Sequence, residues 1–232
     1  MTRELTWLGH SSFRIDTPGE KRIYIDPWLA GNPKCPESEQ SPERVDLIAL
    51  THGHSDHVGE TVELAKRFGC PVIALVELRK WLDEQGATAQ DMSHAPNKGG
   101  TVDVDGVKIT LTDARHSSSS ADGTYLGEPA GLVIEVEDGT KVYFAGDTNV
   151  FGDMELIGRL YRPHVAVLPI GDHFTMGPRE AAAALELLGV ARCVPCHYGT
   201  FPLLTGTPDE LRKLAPDGVE ILAPQPGETV EL

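Results

Sequence analysis

Within six residues, His52-Gly53-His54-Ser55-Asp56-His57 offers three imidazoles and a carboxylate. Neutral imidazole is the commonest side-chain ligand for zinc and related ions, and carboxylate oxygens bind the same cations. Gly53 and Ser55 are small, so the backbone between the ligands can curl around an ion. The segment follows an apolar strand pattern, Asp46–Leu50, and precedes a helix pattern from Val58. Strand-end loops of this kind are where α/β folds carry their sites. A surface turn that merely happens to be rich in histidine would not explain the buried strand feeding it. The chemistry implied is binding of a metal and hydrolysis assisted by it.

The motif resembles the HxHxDH signature of the metallo-β-lactamase superfamily, and the other motifs of that superfamily follow in order. His116 comes after the strand pattern Val107–Leu111, where the isolated third-motif histidine is expected. Val142-Tyr143-Phe144-Ala145-Gly146-Asp147-Thr148 matches the strand that ends in Gly-Asp-Thr, and Cys193–Cys196 leads into His197, the final histidine. The resemblance implies that His52, His54 and His116 hold one metal and that Asp56, His57 and His197 hold another. Asp147 is then expected to bridge the two. Each of these residues follows an apolar run, so convergence on one sheet edge is consistent with the residues themselves. Imidazole and carboxylate together suit Zn²⁺ best, with Mn²⁺, Fe²⁺ or Ni²⁺ also compatible.

Finer motifs narrow the likeness. Trp7-Leu8-Gly9-His10-Ser11-Ser12-Phe13, Ile25-Asp26-Pro27-Trp28, Pro169 to Pro178 and His197-Tyr198-Gly199-Thr200-Phe201-Pro202 resemble a subgroup of short bacterial metal-dependent hydrolases related to L-ascorbate-6-phosphate lactonase. That subgroup places His10 near the metals, where it could donate to a substrate oxygen or orient a ligand. The bland alternative is a histidine satisfied at a sheet edge. Asp26 could accept a hydrogen bond from a metal-bound imidazole, or it could cap a turn. His173, just before a Gly-Pro helix start, is the candidate general acid or substrate clamp. Ser117 opens the run Ser117–Ser120, which has no triad signature and is expected to be loop with some substrate contact. His94 and His164 read as surface residues.

The mechanism implied is attack by a metal-bridging hydroxide on a small ester, lactone or phosphoester metabolite, with Asp56 and Asp147 at the reacting centre. A phosphodiesterase or nuclease acting on short RNA or DNA is the second enzymatic reading. The formal charge of −15 weighs against nucleic acid, since such binders are normally basic. A non-catalytic metal-binding regulatory module is the reading from another class, and it would require ligand positions to be missing. All seven are filled.

The elements that must position these groups follow from the pattern of apolar runs. Leu5–Leu8, Ser12–Ile15, Arg22–Ile25, Leu47–Leu50, Val72–Leu75, Val107–Leu111, Leu132–Val136, Lys141–Ala145, Val165–Ile170, Ala191–Pro195 and Val219–Leu222 are short and rich in β-branched residues, which favours strands. Asp105-Gly106 and Asp138-Gly139 signal tight hairpins. Helices are expected over Val58–Phe68, Glu77–Gln85, Arg179–Leu188 and, after the capping box Thr207-Pro208-Asp209-Glu210, through Leu214. The order fits an α/β fold, an αββα four-layer sandwich of two mixed sheets with helices outside. Residues 1–232 are expected to form one hydrolase domain.

Composition sets the remaining bounds. Hydrophobic residues are 40% and charged residues 24%, the usage of an ordinary globular chain. Apolar runs such as Val165–Leu168 are too short to cross a bilayer, and no signal-peptide pattern follows Met1-Thr2, so a cytoplasmic location is expected. Cys193-Val194-Pro195-Cys196-His197 has the spacing of c-type haem attachment. That chemistry needs export, and the segment reads better as a buried strand with two structural thiols. Loops 31–43 and 114–130 are polar and could act as lids or as plain connectors. The apolar termini fit packing within one chain or between copies of a homo-oligomer.

Overall fold

Strand alternation decides the layers. In Arg22–Ile25, Ile23 and Ile25 join one apolar cluster while Tyr24 joins another, and in Val165–Pro169 the pairs Val165/Val167 and Ala166/Leu168 divide in the same way. Side chains in a strand point to opposite faces at period two, so strands apolar on both faces must be covered on both. The computed structural model describes residues 3–87 and 92–232, which leaves Met1 and Thr2 of the N-terminal reading outside the described residues.

The first half holds β1 (Glu4–Trp7), β2 (Phe13–Asp16), β3 (Arg22–Ile25), β4 (Leu47–Ala49), α1 (Ser55–Val58), α2 (Thr61–Phe68), β5 (Val72–Ile73) and α3 (Val76–Glu84). The second holds β6 (Thr101–Val104), β7 (Val107–Asp113), β8 (Ala130–Glu135), β9 (Lys141–Phe144), α4 (Met154–Tyr161), β10 (Val165–Pro169), α5 (Pro178–Leu188), β11 (Arg192–Cys196), α6 (Pro208–Leu214), β12 (Glu220–Ile221) and β13 (Thr229–Glu231). One sheet runs β13-β1-β2-β3-β4-β5 and the other β12-β11-β10-β9-β8-β7-β6. Both are mixed: β3, β4 and β5 are parallel beside antiparallel β1 and β2, and β9 to β12 are parallel beside antiparallel β6 to β8.

The sheets face each other across a core that includes Leu5, Phe13, Ile15 and Ile25 from the first and Ile109, Leu132, Phe144 and Val167 from the second. Helices α2 and α3 cover the outer face of the first sheet through Leu64, Leu78 and Leu82. Helices α4, α5 and α6 cover the second through Ile157, Leu185 and Leu211. The expected αββα sandwich is the observed one. Among the described residues no helix is long and apolar enough to cross a membrane.

Several details depart from the sequence pattern. The expected helix Val58–Phe68 is two helices, because Gly59 breaks it at φ +40°, and a Cβ there would lie 2.4 Å from the Pro27 carbonyl oxygen. Strands β6 and β13 lie on half-exposed sequence with little apolar signal, and α4 carries Gly158 in its interior. The Asp105-Gly106 turn joins β6 to β7 with both residues at positive φ, as a two-residue hairpin requires. The Thr207/Glu210 capping box forms in both directions. Cys193 and Cys196 are buried free thiols on β11, as the structural reading expects. The C-terminal strand pairs with β1 and Leu232 is buried in the inter-sheet core, so these apolar ends pack within the chain.

Phe13 meets Phe144 across the core edge-on, with ring centroids 5.6 Å apart. Phe13→Ala should therefore lower unfolding free energy by about 3–5 kcal/mol in a urea titration. Phe174→Ala, at a side chain half exposed to solvent, should cost less than roughly 0.5 kcal/mol.

Candidate metal centre

The chemistry-bearing residues leave strand ends on one edge of the sandwich. His52 to His57 follow β4, His116 follows β7, Asp147 follows β9 and His197 follows β11. His10 lies in the turn between β1 and β2, and Asp26 directly follows β3. Three of these, His10 (φ 54°), Asp26 (φ 46°) and His197 (φ 53°), occupy the left-handed region that a side chain normally avoids at a cost of about 1–2 kcal/mol. Backbone hydrogen bonds hold them there. His197 N–H donates to the His10 carbonyl at 3.0 Å, Trp7 Nε1 donates to the same oxygen at 3.0 Å, and Asp26 N–H donates to Ala49 at 3.1 Å. Gly146, at φ +63°, turns the chain beneath Thr51 so that Asp147 enters the cluster; a Cβ on it would sit 2.8 Å from that side chain.

Two groups of side chains gather with ligand atoms mutually within 4.8 Å: His52, His54, His116 and Asp147, and His10, Asp56, His57 and His197. The first is the expected triplet together with Asp147. The second is the other expected triplet with His10 added. Asp147 touches both, with Oδ2 at 3.5 Å from His116 Nε2, 4.0 Å from His52 Nε2 and 3.1 Å from His197 Nε2, and Oδ1 at 3.4 Å from His57 Nε2. His57 Nε2 and Asp147 Oδ1 are buried and make no hydrogen bond. Buried polar atoms are rarely left so, since each costs about 1–3 kcal/mol. Two such atoms face to face, among imidazoles, fit a cation between them.

Asp26 organises the first sheet's ligands. Its Oδ1 accepts from Thr51 N–H at 2.8 Å, and its Oδ2 accepts from the Thr51 hydroxyl at 2.6 Å and from His57 Nδ1 at 2.7 Å. With the Thr51 hydrogen committed to Asp26, the hydroxyl oxygen accepts from His52 Nδ1 at 3.0 Å. Both histidines are thereby held with Nδ1 protonated and Nε2 turned toward Asp147. Thr51 carried no signal in the sequence reading, although it immediately precedes the motif.

His10 is fully buried and does not line the open cavity. Burial lowers its pKa to about 4, so the ring is neutral at physiological pH. Its Nε2 donates to Asp56 Oδ2 at 3.0 Å and its Nδ1 accepts from the Thr200 hydroxyl at 2.9 Å. Burial raises the Asp56 carboxyl, but the His10 hydrogen bond and nearby His57 outweigh it and hold the group well below the usual carboxylate range. Burial depresses His52, His54 and His116. His57 is desolvated too, yet the carboxylates of Asp147 and Asp26 reverse the effect and raise it well above an ordinary histidine.

Above the clusters lies a cavity of about 460 Å³. His54, Asp56, His116, Asp147 and His197 reach its surface, Trp28, Phe174 and Phe201 supply aromatic walls, and Ser55 and Ser117 complete it. Ser117 Oγ is 3.5 Å from His54 Nε2. His173 is exposed and does not line the cavity; its ring packs edge-on against Phe174, 4.5 Å between centroids. Loop 114–130 contributes His116 and Ser117, whereas no residue of loop 31–43 reaches the cavity. His164 is exposed and accepts from Lys141 N–H, while His94 is half-buried.

The family profile of the β-lactamase superfamily domain matches residues 21–198. A metal-dependent hydrolase of the UPF0173 group from Herpetosiphon aurantiacus is 50% identical, over 97% of this chain and 95% of its own. Another from Methanosarcina mazei is 45% identical over 99% and 98%. This chain belongs to the metallo-β-lactamase superfamily, among its UPF0173 metal-dependent hydrolases. The solved structure of Igni18, a metallo hydrolase from the archaeon Ignicoccus hospitalis, superposes with a TM-score of 0.85 at 36% identity, covering 100% of this chain and 99% of that one.

The centre's electrostatics give two expectations. The carboxylates of Asp147 and Asp26 raise His57 in the metal-free protein, so a metal ion competes with a proton for this ring; calorimetry in buffers of different ionisation enthalpy should register proton release on metal binding, and affinity should fall on acidification. Asp26→Ala, by freeing the His57 and His52 rings, should weaken metal affinity by about 10–100-fold in competition with a chelator.

Proposed function

We propose that this chain hydrolyses a small ester, lactone or phosphoester metabolite with two divalent transition metals, Zn²⁺ being the best fit to the donor set and Mn²⁺, Ni²⁺ or Fe²⁺ compatible with it. The reading rests above all on Asp147, whose carboxylate lies between both histidine groups at the surface of an open cavity. His52, His54 and His116 would hold one ion and Asp56, His57 and His197 the other, with Asp147 close to both groups. When bound, two such dications supply Lewis acidity toward the substrate oxygen and lower the pKa of water enough for hydroxide to be available at neutral pH. Water contributes its oxygen to the acyl or phosphoryl centre, the bond to the leaving oxygen breaks, and that oxygen takes up a proton.

The chain's own residues set the conditions for that reaction. Asp26 and Thr51 fix the tautomers of His52 and His57. His10 spends its one ring hydrogen on Asp56, so its role is to orient and keep ionised a carboxylate that faces the cavity. Trp28, Phe174 and Phe201 exclude water around the reacting group. Ser117 contacts substrate from the His54 side. His173, expected as general acid or clamp, is exposed outside the cavity lining, so its role is to clamp the outer part of the substrate beside Phe174.

The substrate is a small molecule and the setting cytoplasmic. An acidic chain with carboxylates in its cavity disfavours a nucleic-acid backbone, and a cavity open above the paired clusters favours catalysis over a purely regulatory module. Purified protein should carry up to two transition-metal ions per chain. His197→Ala and Asp56→Ala should each lower turnover of p-nitrophenyl esters and bis-p-nitrophenyl phosphate by at least about 10³-fold, with circular dichroism unchanged. Wild-type turnover in either variant, or a fully active protein free of metal, would sink the assignment.

A further inference from the structure

The cavity over the metal ligands has a neighbour. A second hollow of about 380 Å³ adjoins the ligand loop, lined by Gly53 and Val58 from that loop and α1, by Trp81 of α3 and by Ala121. Ser55 borders both cavities. They also share their framework. Gly53 lines the second and adjacent His54 the first, while Ser117 belongs to the first and Ser120 to Asp122, on the same loop, to the second. Ser118 Oγ accepts from Gly53 N–H at 3.1 Å and ties that loop to the metal motif.

The linings differ in chemistry. The first is rich in ligands, whereas the second is mainly apolar or small, with Trp81 half-buried along it. Among the described residues neither cavity is lined by lysine or arginine. Arg115, next to His116, lies over the Phe151 ring at 5.2 Å. The charged group at the second hollow is Asp122, which accepts from Thr124 N–H at 3.1 Å and from the Ser120 hydroxyl. An anionic substituent there would meet that carboxylate and no lysine or arginine in the lining. An apolar one would bury its surface against Trp81 and Val58.

We propose that the second hollow is a substrate subsite, and that the substrate is a carboxylic ester or lactone whose reacting carbonyl sits over the metal ligands while an uncharged alkyl or aryl arm extends past Ser55 to Trp81. This rests on the hydrolytic reading above and narrows it away from phosphorylated arms.

The test uses methyl esters from acetate to octanoate with the metal-loaded protein, followed by acid release. Each added methylene should raise kcat/KM by about two- to four-fold until the hollow is filled. Monomethyl suberate, which ends the same length of chain in a carboxylate, should be at least about tenfold poorer than methyl octanoate. Trp81→Ala should compress the octanoate-to-acetate ratio at least about tenfold. Ala121→Trp, at an exposed loop position that tolerates a large side chain, should do the same by filling the hollow from the other wall. A flat series, or equal use of suberate and octanoate, overturns the proposal. Calorimetric binding of N-methylbutanamide and N-methyloctanamide to metal-free protein separates the two readings. If no ester is cleaved but the longer amide binds more tightly and Ala121→Trp removes that gain, hydrolysis fails and the subsite stands. If esters are cleaved with no length preference in rate or binding, the subsite fails and hydrolysis stands.

Discussion

A single buried carboxylate sets the terms for everything above it. Asp26 is 1% exposed, lies in a left-handed backbone conformation, and accepts three hydrogen bonds, two from Thr51 and one from His57. A buried carboxylate of this kind is tolerated because three donors satisfy its lone pairs. The consequence passes outward by hydrogen-bond direction alone. Thr51 can give its hydroxyl hydrogen to only one partner, and once it is given to Asp26 the His52 ring has one tautomer available. The candidate ligands His52 and His57 are thus oriented before any ion arrives, which is the condition for tight and geometrically specific binding.

The same edge concentrates conformational cost. His10, Asp26, Asp172, His173 and His197 all lie at positive φ, and none is glycine. Left-handed non-glycine residues cluster where surrounding structure over-determines them, and the supports here are visible as the carbonyl of His10 shared by Trp7 and His197 and as the tie from Asp26 to β4. The thick inter-sheet core carries this strain. Phe13, Phe144 and their neighbours fix where the strands end, and the strand ends fix where the ligands begin.

Much of this was legible in the residues. The ligand motif, its feeding strand and the later Asp147 and His197 are local in sequence and carry strong chemical signatures. The alternating apolar runs announced two covered sheets. What escaped notice depends on contacts between distant segments. Thr51 is an ordinary residue until Asp26 approaches it, and Thr200 gains a role only through His10. Edge strands β6 and β13 draw their order from partners rather than from propensity, so their sequence carries little pattern. At Gly59 the helix breaks where the chain passes close to the Pro27 carbonyl, a contact between segments distant in sequence. His173 shows the reverse limit: its motif context pointed inward, and the fold leaves it exposed and off the cavity lining, its ring against Phe174, which does line the cavity.

The ligands have one more property, which follows from the strands they leave. His52, His54, Asp56 and His57 hang from the first sheet, and His116, Asp147 and His197 from the second. Each cluster draws from both, so an ion bound in either position would cross-link one sheet to the other at that edge. Metal supply then enters the folding equilibrium by mass action: at a free concentration a hundred times the dissociation constant, each site adds roughly 2.7 kcal/mol to the native state. Loss of the ions would remove that contribution and leave the apolar core to join the two sheets.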